Sequence, residues 1–206
     1  MPKSHILIPA PLRGALIECY RAATRLVRPD RRRQLVLVGG AASTAHSSDL
    51  YTEDVDVAAP PAILIELWEA VEAGAPNFNL EPDGKIAFDS SLGIHVQMEL
   101  IQIGGDFIKR IHVAEPFHEG AVASKSDLFR LRALTVVDGG GDEDCGDFRW
   151  LLSEMAKAGQ LLPGLNKEEL DAVTKVGVSC LGVLDCLVLF ALLNISLRLK
   201  KKKKKK

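Results

Sequence analysis

In residues 94–101, Ile94, Val96, Met98 and Leu100 alternate with His95, Gln97 and Glu99. A period of two held over eight residues suits a strand with one buried and one solvated face. A chain containing such a strand must build a sheet and cover one side of it. The other side, which carries Glu99, is left to solvent or to chemistry.

The remaining pattern supplies both the sheet and its cover. Residues 34–38 form a β-branched and leucine run that stops at Gly39-Gly40, as a buried strand would. Residues 41–46 predict a short helix, 47–51 a loop, and 54–58 a second strand stopped by Pro60-Pro61. Leu12, Ala15, Leu16, Cys19, Ala22, Ala23 and Leu26 recur at helical spacing over residues 11–26, and a further helix fits residues 61–73. Short strands at 78–80 and 85–89 flank the turn-forming Pro82-Asp83-Gly84. Helices at 123–137 and 147–158, with a loop at 138–146, complete the order. Strands alternating with helices, followed by helices alone, describe an α/β (α+β) chain: a small mixed sheet with flanking helices and a helical C-terminal part. At 206 residues one principal domain is expected. It divides into a core over 1–122, the helical part over 123–175, and an apolar segment with a lysine tail over 176–206.

Charge narrows the function. Seven of the 26 basic residues are the lysines 200–206, and setting them aside leaves 19 basic against 27 acidic residues, a body of about −8. A general nucleic-acid binder needs a basic face, so a small or local acceptor suits this chain better. Cys19, Cys145, Cys180 and Cys186 contain no C-x-x-C pair. They read as small buried hydrophobes in a reducing, cytoplasmic compartment. His46, His95, His112 and His118 show no metal-ligand spacing, Trp68 and Trp150 read as core, and Asp147 reads as a helix cap.

The chemistry concentrates in Thr52-Glu53-Asp54-Val55-Asp56-Val57. In a strand, Asp54 and Asp56 at i and i+2 point to one face while Val55 and Val57 point to the core. Two like charges at that separation repel and call for a cation, and carboxylate oxygens favour magnesium or manganese. Glu99 supplies a third oxygen ligand if its strand neighbours theirs. Gly39 and Gly40, at a strand end, permit close approach of backbone N–H groups to phosphate oxygens.

Val38-Gly39-Gly40, thirteen intervening residues and then Asp54-Val55-Asp56-Val57 resemble the signature of the nucleotidyltransferase superfamily, which includes DNA polymerase beta and kanamycin nucleotidyltransferase. The wording is most similar to the toxin-type branch, where Thr or Ser stands two before the first Asp, as Thr52 does here. Glu99 in Met98-Glu99-Leu100 matches the third acid of the family. The segments Ser126-Asp127-Leu128-Phe129-Arg130-Leu131-Arg132-Ala133 and Asp147-Phe148-Arg149-Trp150 are similar to the branch's helical part, in which a basic helix faces the nucleotide. The likeness spans residues 35–152. Leu50 stands where the branch often has Arg, and the expected helix lysine is matched only by Lys125 at the helix start.

The resemblance implies a sheet of nucleotidyltransferase type and metal-dependent transfer of a nucleoside monophosphate from a nucleoside triphosphate such as ATP to a hydroxyl-bearing acceptor, whether RNA, protein or small molecule. Asp54, Asp56 and Glu99 are then the catalytic and metal-binding carboxylates for Mg2+ or Mn2+. Gly39, Gly40, Lys125, Arg130 and Arg132 are the nucleotide-binding candidates. A rival of another class is a catalytically inactive relative serving as a nucleotide-binding or protein-interaction scaffold.

Residues 176–199 are strongly apolar, yet Asp185 divides them into runs shorter than the roughly 18 residues of a membrane span. A spanning anchor is therefore disfavoured. A coding sequence that runs into a poly-A tract would also end in lysines, because AAA encodes lysine, so an artefactual end is a further reading of this segment.

Overall fold

The structure is a computed structural model that describes residues 7–82, 84–160, 162 and 164–193. Strand β1 (Val36–Val38) is three apolar residues that are all buried. β1 pairs antiparallel with β2 (Asp54–Ala59), placing Val38 opposite Asp56. β2 pairs in parallel with β5 (His95–Gln102), and β5 continues antiparallel through β4 (Ile86–Asp89) to β3 (Phe78–Leu80). On the other side β1 pairs in parallel with β7 (Gly120–Ala123), which forms a hairpin with β6 (Ala114–Phe117). The result is one mixed seven-stranded sheet of order β3-β4-β5-β2-β1-β7-β6.

The alternation in β5 is realised as expected, with Val96 and Met98 buried and His95, Gln97 and Glu99 exposed. Helix α1 (Ala10–Leu26) packs against β2 and β5, and α3 (Pro61–Glu72) against β5 and β3. A short helix α2 (Gly39–Ala45) begins on the glycines themselves, two residues earlier than the pattern predicts. The helical part comprises α4 (Lys125–Val137), α5 (Asp142–Lys157), α6 (Lys167–Cys180) and α7 (Val183–Leu192). It meets the rest of the fold where α4 and α5 touch α2. The fold class expected from the pattern is thus the one observed.

Three further differences from the expectation have a structural reason. Gln34 belongs to a 3-10 turn, Arg32–Gln34, so the first strand is shorter than residues 34–38. The helix expected from residue 123 starts at Lys125, with the Ser124 hydroxyl accepting from Asp127 N–H at 3.2 Å, and Ala123 ends a strand instead. Residues 120–123 are Gly-Ala-Val-Ala, small side chains buried on both faces, and such a run carries no alternation to read. The Tyr20 hydroxyl, on α1, marks that strand: it donates toward Leu35 C=O at 3.0 Å and accepts from Ala121 N–H at 2.7 Å. A Cβ on Gly120 would lie 2.2 Å from this oxygen, so glycine is what admits the tyrosine.

The third difference moves Asp147. Helix α5 starts five residues before it, with Asp144 reaching back to Gly141 N–H at 2.9 Å. Asp147 is therefore buried within the helix and is not its cap. The run of glycines at 139–141 reads as loop, but its last member is the N-cap of a helix whose first turn is acidic, as the helix dipole favours.

Cys19 is a buried thiol, as expected. Contrary to the expectation for all four cysteines, Cys145 and Cys180 are bonded to each other, joining α5 to α6 with Cα atoms 5.4 Å apart at a sequence separation of 35. Trp68 and Trp150 are partly buried against the core. Val176, Cys180, Leu189 and Leu192 are buried within the core cluster, so the apolar segment contributes to it up to the end of α7. No helix among the described residues is long and apolar enough to cross a membrane. Lysines 200–206 and Asp83 lie outside the described residues.

Candidate active site

The parallel pairing of β2 with β5 decides where the acids stand. Its register sets Asp56 directly opposite Glu99 and Asp54 opposite Gln97. Val55 and Val57 are buried and Asp54 and Asp56 are only partly so, which puts both aspartates on the same, open face as Glu99. The condition stated for Glu99, that its strand neighbour theirs, is met. Thr52 fixes the first aspartate, its hydroxyl donating to Asp54 Oδ1 at 3.1 Å.

The two glycines have a steric reason that the sequence did not show. Gly39 turns from β1 into α2 at φ +65°, and a Cβ there would sit 1.9 Å from Asp56 Oδ2. A Cβ on Gly40 would sit 2.4 Å from the Thr52 hydroxyl. Both positions are open so that the Asp54 and Asp56 side of β2 can lie over the turn.

Burial, with the negative charges of Asp54 and Glu99 adding to it, pushes the Asp56 carboxyl up to about 7, and Arg132 offsets this only in part. Arg132 is the one helical cation that joins the acids. It pairs with Asp144 and, at 2.8 Å, with Asp147 Oδ2. Asp147 Oδ2 also accepts from Ser43 on α2 at 3.0 Å, while Asp147 Oδ1 is buried with no hydrogen-bond partner. Burial raises the Asp147 carboxyl, against the lowering effect of Arg132 and Ser43.

Two clefts of about 630 Å³ each adjoin this group, and Asp56, Arg132 and Asp147 line both. That volume suits a nucleotide-sized ligand. Gly40, Thr52 and Asp54 line the first cleft; Gly39, Glu99 and Lys109 line the second. The first is strongly acidic, with seven carboxylates and Arg132 as its sole cation.

The other basic candidates stand elsewhere. Lys125 is paired with Glu154 at 2.9 Å, lies 5.8 Å from the centre of the Trp150 ring, and lines neither cleft. Arg130 edges the second cleft but is only 1% exposed. It is bound to Asp127, to Glu169 at 2.6 Å and to Arg110 C=O at 2.9 Å. Asp127 in turn accepts from His112 and Val113 N–H at 2.9 and 2.8 Å. Arg130 is thus the hub that ties α4 to the chain before β6 and to α6.

Of the predicted residues, Asp54, Asp56, Glu99, Gly39, Gly40 and Arg132 come together; Arg130 reaches only the edge of the second cleft, tied up in its own ion pairs, and Lys125 does not join them. Ser43, Asp144 and Asp147 belong to the site and were missed as chemistry. Their signal is long-range, because Asp147 and Ser43 are 104 residues apart in sequence.

No protein-family model matches the chain. No curated protein matches it either. Among solved structures it is similar to a crystal structure from H. pylori, named there as a presumed nucleotidyltransferase. The TM-score is 0.48 and the identity 14%, over 87% of this chain and 92% of that one. A likeness at that level speaks to neither activity nor substrate.

Whether the acids suit a divalent cation is a question of donors and charge. Asp54, Asp56 and Glu99 offer hard oxygen donors from adjacent strands, and Arg132 offsets only part of the rise that burial, and then the charges of Asp54 and Glu99, impose on the Asp56 carboxyl. Among the described residues, no three acid, histidine or cysteine side chains close into a ready-made metal cage. The donor chemistry is of the kind Mg2+ or Mn2+ takes.

Proposed function

We propose that this protein is a metal-dependent nucleotidyltransferase, moving a nucleoside monophosphate from a nucleoside triphosphate to a hydroxyl acceptor. The observation that carries the reading is the register of β2 on β5, which sets Asp56 against Glu99 with Asp54 on the same face. Bound divalent metal would supply charge neutralisation at the triphosphate and lower the pKa of the acceptor hydroxyl. Asp54 and Asp56 would hold it, and Glu99 would complete the oxygen set on the acceptor side. Arg132, which lines both clefts, neutralises charge that builds on the transferring phosphoryl group. The acceptor oxygen bonds to the α-phosphorus as the bond to pyrophosphate breaks, and Gly39, lacking a Cβ, lets the Asp56 carboxylate lie against the turn beside this step. A cytoplasmic location accompanies this reading.

A second reading is favoured by one observation, the pairing of the helical cations. Lys125 and Arg130 are both committed to structural carboxylates, and Arg132 is shared between Asp144 and Asp147. A scaffold that holds nucleotide or a protein partner without turnover has this character. Incubation with labelled nucleoside triphosphates, Mg2+ or Mn2+ and total cellular RNA and protein separates the two. Label transfer that falls far more than ATP affinity in Glu99→Gln supports the enzyme, because the change removes a charge used only as the acceptor attacks. ATP binding without transfer to any fraction supports the scaffold.

A further inference from the structure

Helix α7 turns Leu189 and Leu192 into the core, where it packs on α5 and α6. Its other side is apolar and bare. Val183 is 80% exposed, Leu184 77%, Leu187 51% and Val188 36%. Positions i, i+1, i+4 and i+5 share one face of a helix, so these four form a single arc. Asp185, also exposed, falls about 60° beyond Val188 around the helix axis, at the edge of the arc. Val178, on the last turn of α6, is 76% exposed. Large exposed apolar side chains elsewhere in the described residues are scattered along the chain, whereas five fall within residues 178–188. A concentration of this kind marks a contact surface.

The sequence after α7 says what kind. Residues 194–206 hold Arg198 and seven lysines, the apolar Ile195, Leu197 and Leu199, and no acidic residue. At the full reach of the chain, lysine 200 is no more than about 25 Å from Leu193. A nucleic acid would engage the cations and have no use for the arc. An apolar groove on a protein partner would engage the arc and have no use for the cations. An anionic bilayer surface takes both, burying the apolar face at the headgroup boundary while the lysines meet lipid charge. A second copy of this chain is the remaining competitor for the arc.

We propose that the bare face of α7, with the lysine run that follows it, docks the protein onto anionic lipid surfaces, lying on the membrane without crossing it. Neither signal is sufficient alone, since stable peripheral attachment takes two.

The test is sedimentation of the full chain with vesicles of phosphatidylcholine, alone or with roughly one part in four phosphatidylserine. Binding is expected only to the phosphatidylserine vesicles, weakening at about 0.5 M salt. It should fall at least about tenfold in two variants: Leu184→Glu with Leu187→Glu, and glutamine at all seven of lysines 200–206. Thermal melts check that the first variant folds; the second changes only residues beyond the described ones. Failure of the wild-type chain to bind the anionic vesicles, or binding that is indifferent to salt, overturns the proposal. So does binding unchanged by Leu184→Glu with Leu187→Glu, which would make the lysines a general polyanion ligand. Analytical ultracentrifugation showing a dimer abolished by that same double variant would assign the arc to a second copy and also overturn it.

Discussion

Asp56 is held in the folded chain at a cost. Its folded carboxyl titrates near 7, against an ordinary value of 3.8, so between those two values the folded state holds a proton that the unfolded state has released. Stability therefore falls as pH rises from about 4 to 7, and the penalty is complete above 7. At about 1.4 kcal/mol per unit this is on the order of 4 kcal/mol at most, reduced by water reaching the open edge. Asp56→Asn should raise the melting temperature by several degrees at pH 8 and change it little near pH 4. Mg2+ should raise the wild-type melting temperature at pH 8 and leave Asp56→Asn unmoved. Calorimetry across that range checks both; a gain over the wild-type chain no larger at pH 8 than at pH 4 contradicts the account. The glycine beside it makes a second test. Gly39→Ala places a Cβ on Asp56 in a left-handed backbone conformation, and both effects disfavour the fold, by about 1–3 kcal/mol together. Metal-dependent stabilisation should disappear with it. That Asp54 and Asp56 share a face was legible from their spacing, since i and i+2 in a strand do. The reason for Gly39 was not, because it lies in a contact across two elements.

Among the elements, α4 carries two arginines two residues apart that serve different ends. Arg130 is buried in a network with Asp127 and Glu169, and Arg132 faces the clefts. Breaking a buried ion pair by deleting one partner costs about 3–5 kcal/mol. Arg130→Ala should thus lower the unfolding free energy by that much, measured in urea. Arg132→Lys retains the charge and loses the fork shared by Asp144 and Asp147. It should leave stability within about 1 kcal/mol, since one cation replaces another at a partly solvated site, while lowering nucleotide affinity or turnover. Equal stability losses in the two variants would remove Arg132 from the site. Sequence placed both on one basic helix and could not separate them, because Glu169 and Asp147 come from later helices. The elements that were legible, β2, β5, α1 and α3, announce themselves by local periodicity. Strands β6 and β7 do not: Gly-Ala-Val-Ala is buried throughout, and Pro116 stands in β6, which an edge strand tolerates.

At the scale of the whole molecule, the Cys145–Cys180 bond closes a loop of 35 residues across the helical part. A loop of that length stabilises by about 3–4 kcal/mol through the unfolded state. Cys180→Ser, or a reductant, should lower the melting temperature accordingly, and intact mass before and after reduction reports whether the bond is present in protein from a reducing compartment. Spacing could not announce this pair, since it is a tertiary contact between two helices. The same helices shape the two clefts, which share Asp56, Arg132 and Asp147 but otherwise differ in lining. Distinct linings have a kinetic meaning under the proposed activity. If each reactant takes its own cleft, neither need wait for the other to enter, so initial rates should follow a random sequential pattern. Double-reciprocal lines would intersect, and an inert analogue of either substrate would act as a noncompetitive inhibitor toward its partner.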